Sequence, residues 1–181
     1  MEKEVKWFEK LLPEIKTEKT ATRPEVISQP KNLFNGYVLD ASNWVNRLAN
    51  ELSLEKRKDV AWNILREVMH VIRDRITIEE VHHLSAQLPT LIRGMFLEGY
   101  SVSGFPKKFH VAELEERINE VLKGAGDIQA NEAFSAVLKI LYERVSEGEL
   151  SDIRGTLPKD IRAYWDECLK DQIILNGERD E

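Results

Sequence analysis

The chain has 181 residues, with 26 Lys and Arg against 32 Asp and Glu, a formal net charge of −6. Hydrophobic residues make up 42%, too many for intrinsic disorder, and the length suffices for one domain or two small ones with a real core. The sequence has no apolar run long enough to span a membrane, no apolar signal core after the first residues and no concentrated basic patch, so we expect a soluble, cytoplasmic protein for which nucleic acid, through the N-terminal arm and scattered basic residues, is a disfavoured partner.

The first element is short. Val5, Phe8, Leu11, Leu12 and Ile15 space an amphipathic helix, with Lys3, Lys6 and Lys10 around its other side. Thr17 to Pro30 is polar, holds two prolines and reads as a linker. This segment either docks on the rest of the chain or acts as a detachable arm that grips a partner or a membrane surface. Ser53 is placed as a helix N-cap. Val60, Ala61, Ile64, Leu65, Val68, Met69 and Ile72 then form one apolar stripe on a helix between Leu54 and Ile76, with Lys56, Arg66, Glu67 and Arg73 facing away. Thr77-Ile78-Glu79-Glu80 is a capping box. Ser101 to Pro106 is a loop by its Gly, Ser and Pro content, and Gly124 to Asp127 is a break, with Asp127 placed as the next cap. Ala133, Phe134, Val137, Leu138 and Leu141 mark a second long helix from Ile128 to Val145, followed by the capping box Ser146 to Glu149. No stretch alternates apolar and polar residues long enough for a convincing strand, so the fold class is all-α.

The two capping boxes coincide at an offset of 69 residues. In that register Thr77 lies over Ser146, Glu80 over Glu149, Leu88-Pro89 over Leu157-Pro158 and Ile92-Arg93 over Ile161-Arg162. We therefore expect two related helical repeats of four helices each, the fourth opened by the proline. The boundaries are an N-terminal helix and linker over 1–36, the first repeat with its connecting loop over 37–108, the second repeat over 109–170 and an acidic tail over 171–181.

The run from His83 to Tyr100, which contains Leu88-Pro89 and Ile92-Arg93, resembles the hallmark of a prokaryotic family, domain of unknown function 2267. The run from Glu149 to Arg162 is similar to that family's second repeat, with Gly155-Thr156 where the family usually shows Ala-Gln. The resemblance spans roughly Ala41 to Trp165. It implies a compact helical domain built from two related halves; it supplies no reaction, and so no catalytic residue to carry over.

Glu79 and His82 have the spacing of a di-iron helix pair, but their equivalents at the repeat offset are Gly148 and Ser151. The symmetric ligand set is missing, so we expect no metal and no cofactor; Glu79 and His83 are read as a surface pair. Cys168 follows Trp165 on an apolar stripe and is read as a structural thiol. Arg93 and Arg162 share one repeat position. They either tie helix ends together through the carbonyls that precede the prolines, or line a shared groove and clamp a carboxylate or phosphate. Trp62 lies beside the main stripe of its helix, either covering the junction of the halves or serving as a partner anchor.

No nucleophile elbow, zinc-protease motif, Cys-x-x-Cys or phosphate loop occurs. The reading is a non-enzymatic module that works by protein–protein contact, with a homodimer open. The alternative is a small-ligand or anion-binding protein. The candidate contacts are Arg93, Arg162, Gln87, His83 and Trp62.

Overall fold

A computed structural model describes residues 33–177, with side chains described through Lys170. The expected N-terminal helix and most of its linker lie outside the described residues. Those described form eight helices and no strand: α1 Asn35–Glu51, α2 Lys58–Arg75, α3 Ile78–Gln87, α4 Thr90–Phe96, α5 Val111–Leu122, α6 Ala130–Arg144, α7 Glu147–Thr156 and α8 Lys159–Gly177. The all-α class is as expected. The backbone of α8 runs past residue 170, where the tail was expected to begin.

The two most buried helices carry the two stripes read from the sequence. Ile64, Leu65, Val68, Met69, Val71 and Ile72 are buried on α2, and Ala133, Phe134, Val137, Leu138, Ile140 and Leu141 on α6. The two pack on each other; α1, α4 and α5 cover α2, and α1, α5, α7 and α8 cover α6. Trp165 is buried with its ring edge-on to Phe134, 6.1 Å between centroids.

Local chemistry sets the ends. Thr77 Oγ1 accepts from Glu80 N–H, and Ser146 Oγ from Glu149 N–H, each capping the helix that follows. Leu88 and Leu157 are extended, with ψ of 143° and 145°, because the proline after each excludes the helical region. The chain therefore turns at Leu88-Pro89 and Leu157-Pro158 without a spacer, and α4 and α8 begin at the residue after proline.

Three local expectations are corrected. Ser53 is not an N-cap. It has a left-handed φ of 56° and closes α1 instead: Leu54 N–H donates to Ala49 O and Ser53 N–H to Asn50 O, a Schellman pattern that buries Leu54. Asp127 does not cap α6. The N-cap is Gln129, whose N–H donates to Glu132 Oε2 at 2.9 Å. Arg73 does not face solvent. Because α2 is covered on several sides, its guanidinium is buried and reaches the carbonyls of Phe96 and Glu98, just beyond or at the end of α4, at 2.7 and 2.9 Å.

Candidate functional site

Three places concentrate chemistry. The first is an apolar groove between α1, α2 and α4. Val38, Ala41 and Val45 lie at i, i+3 and i+7 on α1 and so share one face. With Trp62 of α2 and Leu91 of α4 they line a groove of about 540 Å³, with Ser42, Asn46 and Lys58 as its polar lining. Trp62 is partly buried, and its apolar body packs on the core. Leu91 and Val38 are 42% and 49% exposed, and the start of α1 adds exposed Phe34, Tyr37 and Leu39. Scattered exposed apolar residues are ordinary, but Val38 and Leu91 both stand on the lining of one groove.

The second is the junction of α3 and α7, which brings Gln87 and His83 together with residues 59 or more positions away. Gln87 bridges the helices: its Oε1 accepts from Ser146 N–H at 2.9 Å, and its Nε2 donates to Glu149 Oε2 at 3.1 Å. His83 is exposed, and its Nδ1 lies 3.9 Å from Glu80 Oε2. Its acidic neighbour is thus Glu80, three residues back, and not the expected Glu79. Burial pushes the Glu149 carboxyl above the usual range, and the nearby charge of Glu80 adds to it. Only the hydroxyl half of each expected capping box forms a bond here; the Ser146 N–H that Glu149 would accept from is taken by Gln87.

The third is a buried ion cluster, of which the sequence reading named Arg73 and Glu67, on the face turned from the core. Asp74 is fully buried. Arg73 Nη2 donates to its Oδ1 at 2.9 Å, and Lys107 Nζ and Arg117 Nη1 to its Oδ2 at 2.7 and 3.1 Å. Arg117 also pairs with Glu67 at 2.8 Å. Burial pushes the Asp74 carboxyl up, but the bonds from Lys107 and Arg73 outweigh it and hold it below the usual range. The cluster ties α2 to α5 and to the segment between α4 and α5. Nothing in the sequence beyond the adjacency of Arg73 and Asp74 in the last turns of α2 marked it.

Arg93 and Arg162 take equivalent places. Arg93 Nη2 donates to Leu88 O at 3.1 Å, and Arg162 Nη2 to Leu157 O at 2.9 Å and to Gly155 O. Each arginine thus fastens the carbonyl before its own proline. His70 lies half-buried with Nε2 2.8 Å from Met95 O, and burial holds its imidazole below the ordinary value. His110 meets Asp160 on the surface, 2.8 Å apart. Cys168 is buried, and its carbonyl accepts from Ser135 Oγ at 2.7 Å. No helix among the described residues is long and apolar enough to cross a membrane.

A search of curated proteins finds no match to this sequence. A family profile described as "Uncharacterized conserved protein (DUF2267)" matches residues 41–164, well over half of the chain.

Proposed function

We propose that this chain, which belongs to the DUF2267 family, is a non-enzymatic helical module that docks a partner protein in the groove between α1, α2 and α4. The supporting observation is the groove itself: an apolar trough with an aromatic wall, Trp62, and exposed lips, Val38 and Leu91. Buried aromatic anchors in such pockets carry much of the affinity in helix-in-groove recognition. The occupant is an amphipathic helix of another protein. Its apolar face meets Val38, Ala41, Val45 and Trp62, and an acidic side chain meets Lys58, the charged residue of the lining.

Two coarser readings accompany this one. The halves act as related repeats, supported by the recurrence of the hydroxyl caps, the Leu-Pro corners and the arginine–carbonyl bonds at one offset. The setting is the cytoplasm, where a chain with one cysteine needs no disulfide.

The test is a photo-cross-linking residue at position 38 in the host cell, with and without Leu91→Glu. Leu91 is exposed, so the charge perturbs the lip and not the core. We expect one protein to be captured, and its capture to fall at least about tenfold with Leu91→Glu, since a desolvated charge costs more than about 1.4 kcal/mol. No cross-link, equal capture by both forms, or capture of a second copy of this chain overturns the reading.

A further inference from the structure

We infer that the junction of α3 and α7 binds a divalent transition-metal cation through Glu80, His83 and Glu149. This goes beyond the docking reading and shares no residue with the groove.

The donor set comes first. Glu80 and His83 stand one turn apart on α3, and Glu149 reaches them from α7. Each offers one ligand atom, and these atoms lie within 4.8 Å of one another. Metal–ligand bonds of about 2.0–2.2 Å bring donors to about 3.4 Å apart in a tetrahedral site, so modest side-chain rotation closes the set. Two carboxylate oxygens and one imidazole nitrogen suit zinc and its first-row neighbours better than magnesium or calcium, which take oxygen donors.

The unmet hydrogen bonds come second and are independent of the donor count. Glu80 Oε2 and Glu149 Oε1 are both shielded from solvent, and neither has a hydrogen-bond donor. A shielded carboxylate oxygen without a partner is costly, and such atoms are rare in native proteins. Capping geometry would return Glu149 to the Ser146 N–H, but Gln87 occupies that donor. Gln87 then holds Glu149 by Oε2 and leaves Oε1 turned from it. This is the role of a positioning residue behind a metal ligand. A cation supplies what both oxygens lack. His83, exposed on the outer side, gives an entry path and room for a water as fourth ligand.

The experiment is titration of the metal-free full chain with zinc and, separately, manganese, read by calorimetry and thermal melting. We expect one zinc ion per chain and a rise in Tm. His83→Ala and Glu149→Gln should weaken binding at least tenfold and Gln87→Ala about 10–100-fold, while His110→Ala binds as the parent does. His83 is exposed, so its variant keeps the fold, which the melt without metal verifies. The inference is overturned if neither ion binds at about 1 mM. It is equally overturned if binding survives both His83→Ala and Glu149→Gln.

Discussion

Replacing Asp74 by Asn keeps the shape of the side chain and removes its charge. Arg73, at 4% exposure, then stays buried with two carbonyl partners and no counter-ion. Lys107 and Arg117 are about half and a third exposed, so both can recover solvation. Breaking a buried ion pair by removing one partner costs about 3–5 kcal/mol; with two of three cations able to return to water, the lower end, about 3 kcal/mol, applies. For a chain of this length each kcal/mol lowers Tm by about 2–4 °C, so Asp74→Asn should melt about 6–12 °C below the parent at pH 7. Urea unfolding of both forms across pH gives a second readout. The Asp74 carboxyl titrates below its ordinary value in the fold, so its contribution is present above the unfolded value of about 3.9 and is lost as pH falls through the lower folded value. The stability gap should therefore hold steady from about pH 5 to 8 and close below about pH 4. A variant within about 0.5 kcal/mol of the parent at pH 7, or a gap that persists in acid, refutes the account.

Leu88→Ala should cost about 2–4 kcal/mol, because Leu88 is 2% exposed and its loss leaves a cavity. Pro89→Ala should cost less than about 1 kcal/mol, since its neighbours retain their bonds; urea melts check both, and a Leu88→Ala protein that melts like the parent would show the motif to be a surface feature. Glu149→Gln should behave oppositely in metal-free protein. The carboxyl is raised in the fold, so below the unfolded value of about 4.3 both states hold the proton and there is no penalty, whereas the penalty grows as pH rises from there to the folded value and is constant above it. The variant should exceed the parent in stability at pH 7 and match it near pH 4, and a lower Tm at pH 7 would be inconsistent with that burial.

The helices and their core faces were legible because the spacing of Val60 through Ile72 and of Ala133 through Leu141 is a one-dimensional record of which side is covered. The corners at Leu88-Pro89 and Leu157-Pro158 were legible for a similar reason, since proline restricts its own neighbour. Arg73 was misread because periodicity reports one covered face, and α2 has several. Ser53 was misread because a serine before a helix suits an N-cap as well as a helix end, and the choice rests on the bonds of Leu54. The meeting of Glu80, His83 and Glu149 was out of reach. Capping chemistry accounts for both glutamates locally, and nothing along the chain tells which N–H Gln87 will occupy from the other helix.

The two Leu-Pro corners also govern where the chain can change length. At each, one helix hands over to the next with no slack, and an arginine five residues on clasps the hinge carbonyl. An extra residue there would break the clasp and shift the entire following helix along its axis, about 1.5 Å and 100° per residue. The exposed stretch at Val102 to Gly104, by contrast, can lengthen outward. Natural or engineered insertions should thus collect in the stretch between α4 and α5 and spare the corners, which makes that stretch the place to graft a tag or reporter.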